Sequence, residues 1–528
     1  MTRAHTQRVS TSRPPLIVLL PSLAVAVAVL LPLAYLLFRA TGASGGFWDY
    51  LLRARSLRAL LTTLLLAFSV TTLTLLIALP VAWLTLRTGL AGRRVWFVLT
   101  MLPLVIPTYV GSFALISAFA TGGLFSQVFG AELPAVYGFG GALVVLTLFT
   151  YPYMLLALRA GLRGLDPSLE EAARSLGYSP LKTFFTVTLP HLRPAIAAGA
   201  LLVSLYVISD FGAVAMLRVD TLTRSIYVQY QSSFNRSNAA ALGLVLVGLT
   251  VSVLAVDVLV RGRARLVRTG SGAARSARQQ QLGRWAVPAQ LFLGVLVAVA
   301  LVAPLTVVGV WLWRGLAGGL VAGLEWHPLV NALRVSLLAA LASTLAALPV
   351  AVLTVRFPSR LSALLERLTY VGYALPGLVV ALALVFFGAR YAPWLYQTEA
   401  LLVFAYTLLF LPQALGNIRT SLLKVNPHLE EAAKGLGRSS WGVLTQVTVP
   451  LVRSGVLTGA ALVFLTTMKE LPATLLLGPT GFNTLATRIW SWTVEAFFAQ
   501  AAPYCFVLIA ASSASLALLL AHESEGTS

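Results

Sequence analysis

Two acidic residues, Asp210 and Glu470, stand within long apolar stretches of the sequence, 260 residues apart. Ionisable side chains inside apolar spans usually face a cavity, because contact with lipid costs roughly several kcal/mol. Two carboxylates beside a shared pathway would suit a cation, since hard cations favour oxygen ligands. A structural role is equally open, because Lys469 adjoins Glu470 and either acid could cap a broken helix. Both acids are therefore candidate pathway residues, and no metal site is assigned.

A second pattern is a duplicated segment, in which residues 165–177 recur as residues 425–437. Each copy places an Asp or Asn before a proline, which is typical of a helix N-cap followed by the first helical position. Two glutamates in the first turn suit the positive end of the helix dipole, and a glycine can end the helix with positive φ. The pattern predicts a short capped helix and a glycine turn, which has the form of a docking element.

The alternative interpretation of this segment is a helix that only lies at the membrane interface. Against it, the acidic and alanine core is identical in both copies, while the apolar stretches around it diverge. The candidate docking residues are Glu170, Glu171, Ala172 and Gly177 in the first copy and Glu430, Glu431, Ala432 and Gly437 in the second.

Catalytic patterns are absent from the sequence. It contains no Gly-x-x-x-x-Gly-Lys-Ser/Thr phosphate loop, its five His are scattered, and it has one Cys. We therefore expect no enzyme activity in this chain, and any use of ATP needs partner subunits.

The composition is typical of a membrane protein: 58% of the 528 residues are hydrophobic, 10% are charged, and the mean hydropathy is +0.86. About 20 apolar residues cross the hydrocarbon layer as a helix. The continuous apolar runs predict an all-α polytopic protein with about twelve spans, at residues 16–38, 60–86, 96–120, 139–158, 195–217, 239–260, 287–313, 335–355, 368–387, 400–415, 455–477 and 501–521.

The repeat predicts two related units of six spans, residues 1–262 and 287–528, joined by an Arg-rich linker at residues 263–286. Six spans in each unit give both repeats the same orientation, so they should be related by an axis along the membrane normal. Placing both termini in the cytoplasm puts most of the 38 Lys and Arg residues on that side, although Arg39 and its neighbours up to Arg58 disagree. The net charge of +21 is thus explained by topology, without nucleic acid.

The Glu-Ala-Ala…Gly…Pro pattern of residues 165–190 and 425–450 resembles the coupling loop of binding-protein-dependent ATP-binding-cassette importer permeases. The resemblance covers both halves and implies the type I importer permease fold. It also implies that the docking residues named above contact two ATPase subunits, one per loop, and that an external or periplasmic binding protein delivers the substrate. ATP and Mg would be bound by the ATPase subunits, and this chain would hold no cofactor. The implied location is the bacterial inner membrane.

Residues 209–227 and 469–486 resemble iron(III) importer permeases in particular, which are commonly fused double units. Thiamine and phosphonate importers share the fused form, and polyamine importers are relatives, so these substrates stay open. A secondary transporter of the major-facilitator type also has twelve spans in parallel repeats, but the duplicated loop argues against it. A non-transporting scaffold would leave the mid-span acids unexplained.

Overall fold

The computed structural model describes residues 14–42, 46–130, 136–232, 236–261, 279–320 and 325–525. Across these ranges every long element is a helix, and the one isolated β-bridge joins Thr88 and Gln280. The predicted linker lies mostly outside the described residues. The all-α prediction is confirmed.

The helices of the first half are α1 Leu16–Ala40, α2 Phe47–Leu51, α3 Ala54–Arg87, α4 Arg93–Met101, α5 Thr108–Phe119, α6 Leu124–Phe129, α7 Phe139–Gly164, α8 Pro167–Ser175, α9 Pro180–Thr183, α10 Leu189–His191, α11 Arg193–Ser209, α12 Gly212–Met216, α13 Leu222–Ser232 and α14 Arg236–Arg261. The helices of the second half are α15 Ala286–Val297, α16 Ala303–Ala317, α17 His327–Arg356, α18 Arg360–Tyr370, α19 Gly377–Tyr391, α20 Glu399–Lys424, α21 Pro427–Gly435, α22 Ser440–Val443, α23 Val449–Leu451, α24 Arg453–Met468, α25 Pro472–Leu477, α26 Leu485–Val494 and α27 Phe498–Glu525.

Helices that could cross a membrane recur along the chain. Within the described residues, 8 are long and apolar enough, and two bent helix pairs raise the number to 10. Two shorter apolar helices, Gly377–Tyr391 and Phe498–Ser513, fall on the remaining predicted spans. Every predicted span therefore overlaps one of these helical features.

Four of the predicted spans are not continuous helices, which corrects the sequence interpretation. The spans at residues 96–120 and 368–387 pass through a 3-10 turn and restart after a proline, Pro107 or Pro376. The spans at residues 195–217 and 455–477 break next to the mid-span acids. Proline lacks the N–H of a helical hydrogen bond and disfavours helix at the residue before it, which agrees with the first two breaks. Other prolines, such as Pro80 and Pro152, lie inside continuous helices. An apolar run by itself does not mark the breaks.

The described chain forms two compact units, and each contains helices from both predicted repeats. One unit combines α1 and most of α2 with α17–α25. The other combines α3–α13 with α15, α16 and α27, while α14 and α26 are divided between them. The compact units therefore do not follow the chain order of the two repeats.

The first helix supplies part of the core of the unit that contains α17. Val18 and Ala26 of α1 are buried against Leu353 of α17, Leu365 of α18 and Leu422 of α20 in one apolar cluster. Because α1 is apolar around most of its circumference, its sequence does not reveal which helices cover it.

Close helix contacts in both units depend on glycines at repeat-related positions. A Cβ at Gly199 of α11 would lie 3.2 Å from the Cα of Met154 in α7, and a Cβ at Gly459 of α24 would lie 3.2 Å from the Cα of Ala414 in α20. In lipid, helices associate through such close backbone packing, because burial of apolar surface drives little association there. The fourth and fifth spans of each repeat are thus held together in the same way.

Candidate functional site

The duplicated loop begins with the predicted N-caps. The Asp166 carboxylate accepts a hydrogen bond from the Ser168 N–H at 3.0 Å, and the Asn426 side-chain oxygen accepts one from the His428 N–H at 3.0 Å. The hydrogen bond from Ser168 lowers the pKa of Asp166 below its ordinary value. Both caps open helices of nine residues, α8 and α21, as the sequence indicates.

The glycine turns also form as predicted. Gly177 has φ +85° and Gly437 has φ +82°, both in the left-handed region. The N–H of Tyr178 donates to the carbonyl of Ala173 at 3.1 Å, which is the long hydrogen bond of a glycine-terminated helix end. After the turn, the chain can therefore reverse and start the second part of the loop.

The second part of each loop contains a π-helical segment, Phe184–Thr188 or Leu444–Thr448, between two short α-helices. The loop then meets the next long helix at a sharp bend, of 63° before α11 and 73° before α24. Insertions of π-helix often occur at functional sites. Sequence reasoning predicted a second helical piece but neither the π-helical segments nor the bends.

Large apolar side chains are exposed at the tip of each loop, in a segment that is otherwise polar. Leu176 is 78% exposed and its counterpart Leu436 is 85% exposed, while Leu181 and its counterpart Trp441 are 72% and 57% exposed. Exposed apolar patches rimmed by polar residues mark sites of interaction with proteins or membranes. These residues were missed in the sequence, where the one available signal was a leucine directly before a helix-ending glycine.

The predicted docking residues divide into two sets by exposure. Glu171, Ala172 and Gly177 are exposed in the first loop, as are Glu431, Ala432 and Gly437 in the second. By contrast, Glu170 is buried and Glu430 is half-buried. Contact of these residues with an ATPase stays a prediction, but the side chains of Glu170 and Glu430 already have partners within their own units.

Glu170 and Glu430 each face an arginine and a threonine of the same unit. In the first copy, the Thr188 hydroxyl donates to Glu170 Oε1 at 2.9 Å and Arg87 Nη2 lies 3.9 Å from the same oxygen. In the second copy, Arg356 Nε donates to Glu430 Oε2 at 2.9 Å. None of these partners was identified from the sequence.

Asp210 lies at the break between α11 and α12 and caps the second helix. Its Oδ1 accepts from the Ala213 N–H at 3.0 Å, and its Oδ2 accepts from the Thr108 hydroxyl at 2.5 Å. The Thr223 hydroxyl donates to the Asp210 carbonyl at 2.8 Å. The carboxylate is buried and hydrogen-bonded, which is the capping arrangement left open by the sequence.

Glu470 has the same position between α24 and α25. Its Oε1 accepts from the Ala473 N–H at 2.9 Å, and its Oε2 accepts from the Thr474 N–H at 3.1 Å. The Thr474 hydroxyl lies 3.1 Å from Glu470 Oε2 and 2.6 Å from the Tyr406 hydroxyl. Both mid-span acids therefore hold a helix start in place, and contact with a substrate stays a prediction for each.

In each unit two helix breaks lie next to each other. One is the break in the third span of a repeat, and the other is the break in the fifth span of the same repeat. Thr108 is the first residue of α5 and hydrogen-bonds Asp210, whereas Gly377, the first residue of α19, leaves space for Glu470. A Cβ at Gly377 would lie 3.1 Å from Glu470 Oε1. The shorter Asp210 side chain thus reaches a threonine hydroxyl, whereas the longer Glu470 side chain occupies the space left by a glycine.

No group of three or more His, Cys, Asp or Glu side chains that could hold a metal ion occurs among the described residues. The two loop tips and the two paired breaks are features of the described chain that could bind a partner or line a pathway.

Comparison with known proteins gives matches over nearly the whole chain. The sequence is 34% identical over 515 residues to the Fe(3+)-transport system permease protein FbpB 2 of Haemophilus influenzae, covering 96% of this chain and 98% of the relative. It is 29% identical over 238 residues to the sulfate transport system permease protein CysT of Salmonella typhimurium, covering 44% and 86%. It is 30% identical over 210 residues to the molybdenum transport system permease protein ModB of Escherichia coli, covering 37% and 92%.

The family described as binding-protein-dependent transport system inner membrane component matches twice, at residues 75–266 and 339–522. Each match contains one duplicated loop and one mid-span acid, so the repeat seen in the sequence is a repeat of the family unit. The chain therefore belongs to the binding-protein-dependent transport system inner membrane component family, as a double-unit permease of ATP-binding-cassette importers.

Proposed function

We propose that this chain forms the membrane pathway of an iron(III) importer and that its two loop tips bind two ATPase subunits. The observation that carries the docking role is the repeated exposure of Leu176 and Leu436 beside the exposed glutamates Glu171 and Glu431. Each tip offers an apolar contact that a partner could bury and an acidic group that a basic residue could pair with. ATP and Mg would be held by those subunits.

Iron(III) is supported by the relative that matches 96% of this chain, which is named as an Fe(3+)-transport permease. The sulfate and molybdenum relatives match less than half of this chain. The carboxylates of Asp210 and Glu470 supply the oxygen chemistry that a hard cation favours, although both act as helix caps in the described state.

The proposed orientation places both loops and both termini in the cytoplasm. An external or periplasmic binding protein would then deliver iron to the opposite face, and closure of the ATPase subunits would push both loops. Because each loop meets its span at a sharp bend, a push on the loop would tilt the following helix.

Uptake by proteoliposomes tests the proposal. The chain is reconstituted with its ATPase and binding protein, and radioactive iron(III) accumulation is followed with and without ATP. We expect uptake that depends on ATP, on the binding protein and on iron(III). Uptake of thiamine, phosphonate, polyamine, sulfate or molybdate without iron would contradict the substrate, and uptake driven by an ion gradient alone would contradict the mechanism.

A further inference from the structure

An arginine at the end of a long membrane helix faces the loop in each unit. Arg87 is the last residue of α3, and Arg356 is the last residue of α17. Each arginine lies beside the first of the paired glutamates. This places a charged contact where the loop helix, the π-helical segment and a long span come together.

In the first copy the contact is buried. The side chains of Arg87 and Glu170 are 5% and 9% exposed, and the Thr188 hydroxyl donates to Glu170 at 2.9 Å. Arg87 Nη2 also donates to the Leu162 carbonyl at 3.0 Å, which lies in the last turn of α7. One arginine thus joins the end of α3, the end of α7 and the loop helix α8.

The second copy repeats the arrangement with a direct ion pair. Arg356 Nε donates to Glu430 Oε2 at 2.9 Å, and Arg356 Nη2 donates to the Val425 carbonyl at 3.2 Å. The Thr448 hydroxyl donates to Glu430 Oε1 at 3.0 Å. The side chains of the ion pair are 11% and 13% exposed, so solvent screens it little.

Apart from these contacts, the loop helices pack chiefly within their own loops. Helix α8 lies against α9 and the Phe184–Thr188 segment, and α21 lies against α22 and the Leu444–Thr448 segment. The arginine is therefore a polar connection between each loop helix and a membrane span.

We propose that these two clusters, Arg87–Glu170–Thr188 and Arg356–Glu430–Thr448, are the joints that make each loop helix move together with its long span. This inference rests on the proposed function, since it presumes that an ATPase pushes the loops. The six residues are positioning residues: they face into the chain and transmit the displacement of the exposed tip to α3 and α17. Because a buried charge left without its partner is strongly unfavourable, the joint resists separation during the push.

The test measures iron transported per ATP hydrolysed in proteoliposomes that contain the complete complex. Glu430→Gln keeps the shape of the side chain and can still accept from Thr448, but it removes the charge that faces Arg356. We expect ATP hydrolysis to continue while transport per ATP falls on the order of tenfold. Glu366→Gln is the matched control, because it removes an ion pair of the same 2.9 Å length with Arg419, and neither residue belongs to the loop.

A pair of cysteines tests whether a physical connection between positions 356 and 430 is sufficient for efficient transport. Arg356→Cys combined with Glu430→Cys removes the ion pair, and a short, cleavable thiol crosslinker can then join the two positions. The only native cysteine, Cys505, is buried. We expect transport per ATP to recover when the crosslinker is present and to fall again when it is cleaved.

The outcomes separate the inference from the proposed function. If the unaltered chain binds no ATPase, the proposed function fails. If the complex forms and Glu430→Gln transports as much iron per ATP as Glu366→Gln, the joint is refuted. If Glu430→Gln assembles poorly, the cysteine pair decides: crosslinking without recovery refutes the joint, and crosslinking with recovery supports it.

Discussion

The Glu470 side chain lies in the space left by the missing side chain of Gly377, so a larger residue at position 377 should destabilise the protein. A threonine at position 377, which copies Thr108 of the other repeat, would place its Cβ 3.1 Å from Glu470 Oε1. It would also place its Cβ 3.6 Å from Leu409 Cδ1, and its hydroxyl and methyl would extend farther. Overpacking of this kind costs about 1–3 kcal/mol. We expect the upper part of that range, because Glu470 would also be displaced from the N–H groups it caps.

The rescue comes from shortening the acid. Glu470→Asp alone should weaken the cap, but combined with Gly377→Thr it restores the pairing seen between Thr108 and Asp210 at 2.5 Å. The double variant should therefore be more stable than the sum of the two single changes by about 1 kcal/mol or more. The reason is that the hydroxyl gains a carboxylate partner and the clash is removed.

The assay is equilibrium denaturant unfolding of the four proteins in detergent micelles, supported by thermal midpoints. Gly309→Thr in α16 is the control for adding a threonine, because a Cβ there meets nothing within 4 Å. Additivity of the two changes within about 0.5 kcal/mol would refute the reasoning. So would a Gly377→Thr protein as stable as the Gly309→Thr protein.

Four further predictions concern the packing and the loops. Gly459→Val should destabilise the protein by about 1–3 kcal/mol in the same unfolding assay, because its Cβ would lie 3.2 Å from a backbone atom of α20; an unchanged midpoint would contradict the close packing. Because the pKa of Asp166 is lowered, its cap stabilises α8 above the ordinary pKa of aspartate and is lost as the pH falls through the lowered value, whereas the cap at Asn426 does not titrate. Hydrogen exchange at acidic pH should therefore rise more in α8 than in α21, because both helices carry a paired glutamate but only α8 has a cap that titrates, and an equal rise in both would be inconsistent with this. Leu436→Asp should weaken ATPase binding about tenfold or more in a titration of the purified subunits, since burial of a leucine contributes about 1.5–3 kcal/mol; unchanged affinity would remove this residue from the interface. Gly177→Trp should leave the protein inserted but uncouple ATP hydrolysis from transport, because a bulky residue with φ +85° is strained and obstructs the tip; normal transport would show that the turn is not at the interface.

The loop helices could be predicted because their determinants are local. An N-cap, a proline at the first position and a terminal glycine act within a few residues, so Asp166 and Gly177 behave as their types indicate. The places of the apolar spans could be predicted for the same reason, since length and hydropathy decide them. Their number was not reproduced in the same way, because 8 to 10 spans among the described residues are long and apolar enough to cross a membrane. The family resemblance rested on this local pattern, and the two family matches bear it out.

The remaining features depend on contacts between residues far apart in the sequence. In the sequence, Arg87 contributes only to the cytoplasmic positive charge, because its partner Glu170 is not a sequence neighbour. The sequence places Asp210 inside a continuous span, because the apolar run continues across the break between α11 and α12. The packing of α1 onto α17 also could not be predicted from the sequence, since an apolar helix can pack against many partners. Exposure of Leu436 depends on the whole loop, and the leucine's position directly before a helix-ending glycine does not by itself predict that exposure.

The most direct test of the account is site-specific photocrosslinking from the loop tips in the assembled transporter. A photoreactive amino acid is placed at Leu176 or Leu436, with exposed Leu457 of α24 as the control position. We expect crosslinks to the ATP-hydrolysing subunit from both tips but not from position 457. A complex that transports iron(III) while neither tip crosslinks to that subunit would contradict this expectation.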